Sequence, residues 1–99
     1  MIAGFRNLES TCSADGKTKT VSVAAKEDSS GGTETLKFQI LGQTQTVQET
    51  FAAKEEKRVT VTHTATGKGL VTVTALGSTQ TGERILDVDK VPGDTGTAP

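Results

Sequence analysis

Apolar and polar residues alternate with a period of two along most of the chain. The alternation is clearest in Arg58 to Gly77, RVTVTHTATGKGLVTVTALG. In the first half, Val59, Val61, His63 and Ala65 share one side and Thr60, Thr62, Thr64 and Thr66 the other. The second half sets Val71, Val73 and Ala75 against Thr72, Thr74 and Leu76. The TGKG between them, at 66–69, reads as a hairpin turn, which would make the two Thr rows neighbours on one surface.

The same pattern predicts the other elements. An irregular first strand over Gly4–Ala14 carries Phe5, Leu8 and Cys12, and DGK follows as a turn. TKTVSVAAK turns Val21, Val23 and Ala25 inward. TETLKFQIL does the same with Leu36, Phe38 and Ile40, and QTQTVQETF with Val47 and Phe51. AAKEEK is long enough for a single helical turn and too short for a helix on its own. A last strand over Arg84–Val91 points Leu86 and Val88 one way, and PGDTGTAP closes the sequence as a polar tail. Seven short strands, each with one buried face and no long amphipathic helix between them, predict an all-β fold. The expectation is an immunoglobulin-like antiparallel β-sandwich over residues 1–91 with a flexible tail or linker at 92–99. An up-and-down barrel is the competing geometry. The uneven connections after Lys26 and Phe51 favour crossings between two sheets.

Composition narrows the functional classes. Ninety-nine residues suffice for a single core. Only 32% of them are hydrophobic, and eighteen threonines fill the difference, a residue suited to the wet face of a sheet. The net charge of −1 supplies no basic field for nucleic acid or anionic lipid. Trp and Tyr are absent, so neither a base-stacking platform nor an aromatic hot spot is expected. No stretch has the roughly 18 apolar residues of a membrane helix, and MIAGFRNLES lacks the features of a signal peptide.

Candidate chemistry is sparse. His63, the sole histidine, lies in phase with Val59 and Val61 and reads as a core-rim residue bonded to backbone. Cys12 is the sole cysteine and reads as a small apolar residue. A nucleophilic role would require His63 beside it in space. Asp87, Asp89 and Asp94 could gather around Ca²⁺, but they lack the spacing of a calcium loop and read as solvated charge. TGKG lacks the upstream Gly and the following Ser or Thr of a phosphate loop. Regular Thr arrays can order water as ice-binding surfaces do, but two strands do not make an array. No catalytic, cofactor-binding or metal-ligating residue is therefore assigned.

The order KTVSVAAKEDSSGGTETLKFQILGQ … KRVTVTHTATGKGLVTVTALGS resembles bacterial immunoglobulin-like and adhesion-related modules. In those a V-x-V strand and a ϕxFxIxG strand precede a VTV … GxVTVTA pair. It is similar also to macroglobulin-type domains, in which GxVxVTAxG precedes LxVxPxG, here Gly69–Gly77 and then Leu86, Val88, Pro92 and Gly93. The likeness spans about Lys19 to Gly93. It lacks the Cys…Trp…Cys core and tyrosine corner of antibody domains and the Trp of fibronectin type III domains, and Phe38 takes the central core position. The resemblance implies a non-enzymatic module that binds a protein partner; an enzyme is the third and remotest class, because no convergent set of catalytic side chains can be named, and charge, aromatic content and hydropathy argue against nucleic acid and membrane insertion. Two settings fit. One is a decoration or attachment protein on a larger assembly such as a bacteriophage head or tail, placing it on a virion surface. The other is an adhesion- or macroglobulin-type module of a secreted or cell-surface protein, with a neighbouring module as partner.

Overall fold

Alternating side chains can bury one row only if each strand finds a neighbour of matching phase, and seven strands do so here. A computed structural model describes residues 1–13 and 16–89. The strands are β1 (Ile2–Cys12), β2 (Lys19–Glu27), β3 (Gly32–Ile40), β4 (Gln43–Phe51), β5 (Glu56–His63), β6 (Lys68–Ala75) and β7 (Thr81–Asp87). They form two antiparallel sheets, one of three strands in the order β1-β2-β5 and one of four in the order β4-β3-β6-β7. The sheets face each other across one core. Val21, Val23, Ala25, Leu36, Phe38, Ile40, Val71 and Val73 are all 0% exposed within it. The fold is an all-β sandwich of seven antiparallel strands, and the division into two sheets rules out the barrel. Its fourth strand pairs with β3, whereas the constant-type immunoglobulin arrangement places that strand in the other sheet.

The connections after Lys26 and Phe51 cross between sheets, as their uneven lengths predict. So does the segment after His63, which overturns the hairpin reading of TGKG. β5 pairs with β2, while β6 pairs with β3 and β7. The segment at 64–67 therefore spans the gap between the two layers. Gly67 takes φ +96° there, its carbonyl accepts from the Val88 amide at 3.0 Å and its own amide donates to Asp89 Oδ2 at 2.7 Å. A pattern of alternation is identical for strands paired with each other and strands stacked over each other, so period alone could not separate the two.

Several element boundaries also shift. β1 runs Ile2–Cys12, and two bulges explain its irregularity. The register slips between Ile2 and Gly4 and again between Arg6 and Glu9, where Asn7 and Leu8 stand opposite Val23. Each slip turns the next apolar side chain back inward, so Ile2, Phe5 and Leu8, spaced by three, all reach the core side. Asn7 carries the second bulge at φ +56°. The single helical turn expected in AAKEEK is instead a tight turn at 52–55, closed by Glu55 N donating to Ala52 O at 3.1 Å, and Glu56 already begins β5. The last strand begins earlier and ends earlier than its alternation indicated, at Thr81 and Asp87. Val88 remains 0% exposed beyond its end. The expected tail at 92–99, Asp94 and Val91 lie outside the described residues.

Candidate functional site

Pairing four strands side by side gathers their polar rows into one surface. On the outer face of the β4-β3-β6-β7 sheet, one row across the strands is Thr46, Lys37, Thr74 and Thr81. The next is Thr44, Gln39, Thr72 and Glu83. Beyond Lys37 the rows continue as Gln48 with Thr35 and Thr50 with Thr33. Neighbouring side chains bond along these rows, with Thr72 Oγ1 donating to Gln39 Oε1 at 3.3 Å and the Thr33 and Thr50 hydroxyls 3.0 Å apart. The Thr array is thus broader than the two strands read from the sequence, though Lys37 and Gln39 interrupt it.

Aliphatic side chains border the same face. Leu70 and Ile85 are directly opposed cross-strand neighbours, each 51% exposed, and Leu76 extends the β6 row at 54%. Apart from Met1, every exposed large hydrophobic among the described residues lies on this face. Along β6 the outer row reads Lys68, Leu70, Thr72, Thr74, Leu76. From Leu70 to Leu76, about 20 Å at the usual rise per residue, it carries no ion.

The opposite face of the molecule differs. Thr60 and Thr62 lie on the outside of the three-stranded sheet, so the two Thr rows of the opening pattern look away from each other. Ion pairs lace this second face. Arg6 Nη2 sits 2.6 Å from Glu56 Oε2, and Arg58 Nη1 donates to Ser22 Oγ at 2.9 Å and to the Asn7 carbonyl at 3.0 Å, with Glu9 Oε2 3.6 Å away. A partner landing here would have to desolvate or break these pairs.

The residues singled out for chemistry gather at one end of the sandwich without forming a reactive set. Cys12, Lys19 and His63 make one inward-facing row across β1, β2 and β5. Lys19 stands between the other two, and two strand spacings place the Cys12 and His63 backbones ~10 Å apart. Lys19 Nζ is 3.4 Å from Asp89 Oδ1, and Asp87 Oδ1 accepts from the Asp89 amide at 3.0 Å. Asp87 and Asp89 thus serve the chain's own turn, and among the described residues no group of His, Cys, Asp and Glu is placed to hold a metal. Cys12 is free and half-buried.

His63 is buried as its phase predicts, at 4% exposed; its ring meets the Ala65 backbone, the kind of partner expected, but neither Nδ1 nor Nε2 makes a hydrogen bond of good geometry there. Burial pushes its pKa below the ordinary value, and the Lys19 charge adds to this. A base with a depressed pKa is neutral in the fold, so its contribution is present above pH 6.5 and is lost as the pH falls below it. His63→Leu should therefore raise stability by about 1–3 kcal/mol, the usual cost of a buried polar group left unsatisfied. It should also flatten the loss of stability between neutral and mildly acid pH. Urea midpoints at both pH values check this; a less stable variant would show that the imidazole holds a bond in solution.

A second polar cluster, with no visible signal in the sequence, surrounds the α-amine of Met1. The ammonium lies 2.6 Å from Glu27 Oε2, 2.7 Å from Glu34 Oε2 and 3.0 Å from Asp28 Oδ1, and donates to Ser30 Oγ at 3.0 Å. Glu27 is 1% exposed. Burial and the nearby Glu34 carboxylate push its pKa up, against the pull of the amine. The carboxylates come from the end of β2, its crossing to β3, and β3 itself, three places that only the crossing brings together.

Among the described residues no helix is long and apolar enough to cross a membrane. The chain matches no family model, no curated protein and no solved structure.

Proposed function

We propose that this domain is a non-enzymatic attachment module that docks a protein partner through the outer face of its four-stranded sheet. The observation that carries the reading is the concentration of exposed aliphatic side chains, Leu70, Leu76 and Ile85, at the margins of an uncharged Thr row. Aliphatic area removed from water supplies the drive, about 25 cal/mol per Å². Threonine hydroxyls can bond to a partner without the desolvation cost of an ion. The opposite sheet sets its Thr residues among ion pairs and exposes no large aliphatic side chain among the described residues. The resemblance to bacterial immunoglobulin-like modules, which are common on bacteriophage particles, favours a decoration or attachment role on such an assembly.

The test separates the two faces. Thr72→Lys with Thr74→Lys should weaken co-sedimentation with the native particle by about tenfold or more, because it places two ammonium groups in the centre of the row. Thr60→Lys with Thr62→Lys, on the other sheet, should bind as the parent does. Both pairs should melt near the parent temperature, since surface changes of this kind usually stay within about 0.5 kcal/mol. Loss of binding by the second pair alone would place the interface on the wrong sheet.

A further inference from the structure

Two sheets have four edge strands, and three of the four are defended here. β1 is bulged twice and closes on β7, where Ser10 Oγ donates to the Asp87 carbonyl at 3.1 Å. A Cβ on Gly82 of β7 would lie 3.0 Å from Phe5 Cβ, so these two edges cover each other. β5 carries Glu56, Lys57 and Arg58 in its first half, and Gln45 of β4 donates to its Thr62 carbonyl in the second. Bulges, charges and covering groups keep an edge from pairing with another chain. β4 is nearly without them. Its nine residues, QTQTVQETF, contain no Pro, Lys or Arg and a single acid, Glu49. Its ladder with β3 runs from Gln43 to Phe51 without a register shift.

The hairpin that leads into β4 fixes which of its backbone groups are free. Leu41 and Gly42 form a two-residue turn with φ +49° and +90°, which makes Ile40 and Gln43 a hydrogen-bonded pair. Alternation then commits the N–H and C=O of Gln43, Gln45, Val47, Glu49 and Phe51 to β3 and turns those of Thr44, Thr46, Gln48 and Thr50 outward. The Thr50 carbonyl agrees, since Lys57 Nζ reaches it from β5 at 2.6 Å. Among the described residues, no other outward backbone group of β4 has a partner within the chain.

The strand is also complementary to itself. Laid antiparallel on a second copy, with a two-fold axis at Val47, all nine residues pair. Thr46 meets Gln48 and Thr44 meets Thr50 on the outer face, as hydrogen-bonded pairs that use the free groups. On the inner face Val47 meets its own counterpart, Gln45 meets Glu49 and Gln43 meets Phe51. No like charges are opposed. Val47 is half-buried against the core, and the axis covers its remaining surface with the same side chain. Lys57 releases Thr50 and keeps Glu55, 3.7 Å away. With one open edge per copy among the described residues, the pairing closes at two.

We propose that two copies of this chain pair β4 to β4, joining their four-stranded sheets into one continuous antiparallel sheet. The axis stands perpendicular to that sheet, so both outer faces look the same way. The interface lies at the end of the sheet away from β7, and its test does not depend on the docking proposed for the outer face.

Sedimentation equilibrium of the full 99-residue chain, from micromolar to millimolar concentration, tests the pairing. The weight-average mass should rise from 10.3 kDa toward twice that value. Gln48→Pro removes an outward N–H and spares the β3 ladder. It should raise the dissociation constant about tenfold or more, with an amide NMR spectrum as dispersed as that of the parent. Cross-linking reads the register separately. In a Cys12→Ser background, Val47→Cys should give a disulfide-linked dimer with copper–phenanthroline as oxidant, because opposed Cα atoms of a non-hydrogen-bonded pair lie about 4.5 Å apart. Thr44→Cys in the same background should not, because the two substituted positions stand ~20 Å apart along the ladder. If Gln48→Pro unfolds, the cross-linking pair decides alone. A monomer at every concentration would overturn the proposal. So would a dimer that a folded Gln48→Pro leaves unchanged, or equal cross-linking by Val47→Cys and Thr44→Cys.

Discussion

Phe38→Ala is expected to cost roughly 3–5 kcal/mol of folding stability, the range for deleting a buried aromatic ring. Phe38 is 0% exposed in the middle of β3, the strand flanked by β4 and β6. Its row on that strand is completed by Leu36 and Ile40, both also 0% exposed. Val73 pairs with it from β6 and is equally buried. A cavity at this point has β-strand backbone on both sides, which cannot collapse without breaking ladder hydrogen bonds. Phe5 and Phe51 offer no substitute, since they lie toward the margins, on β1 and at the end of β4. Against a total stability of about 5–15 kcal/mol for a small domain, the loss brings the chain close to unfolding. Urea denaturation should show a large drop in midpoint with little change in slope. A midpoint within error of the parent would remove Phe38 from the core.

Stability should also fall steeply in alkali, and the α-amine of Met1 should be responsible. Hydrogen bonds that it donates to Glu27, and then to Glu34, push its pKa from 8.0 up to about 11. A base with a raised pKa contributes stability that is complete below its unfolded value. That contribution is lost as the pH climbs through the folded value, here between 8.0 and about 11. When the ammonium loses its proton, Glu27 is left 1% exposed beside Glu34 with no counter-charge. On the acid side, the Ser30 hydroxyl and amide hold the Asp28 carboxyl down at about 2. Its contribution is present above 3.8 and lost as the pH falls through about 2. Thermal melts from neutral pH to about 11 check the alkaline limb, with the same chain acetylated at Met1 as control. Every side chain is common to both chains, so the difference between them isolates the amine. The free-amine chain should start higher and converge on the acetylated one as the pH rises. Superimposable curves would show that the cluster adds nothing.

Much of this protein can be read from period alone. Alternation places Val21, Val23, Leu36, Phe38, Ile40, Val71 and Val73 in the core, and all are fully buried. A period of two marks a half-buried strand whatever its neighbours are, so the all-β class and the inward rows follow without knowledge of pairing. The abundance of Thr on the other rows has the same local origin.

Which rows share a surface depends on which strands pair, and no local pattern encodes that. Thr60 and Thr72 stand in matching repeats only a dozen positions apart, yet the crossing at 64–67 sends them to opposite sides of the molecule. The outer face built from β3, β4, β6 and β7, the row of Cys12, Lys19 and His63, and the gathering of Glu27, Asp28 and Glu34 on one amine all arise in this way. Even the inward turn of Phe5 and Leu8 needed the bulges, which exist because β1 must match the ladder of β2 while keeping its apolar residues dry. Residue type and spacing determined what each strand would bury. The free energy of closing two layers over one core, a quantity that belongs to the whole chain, decided which polar side chains would meet.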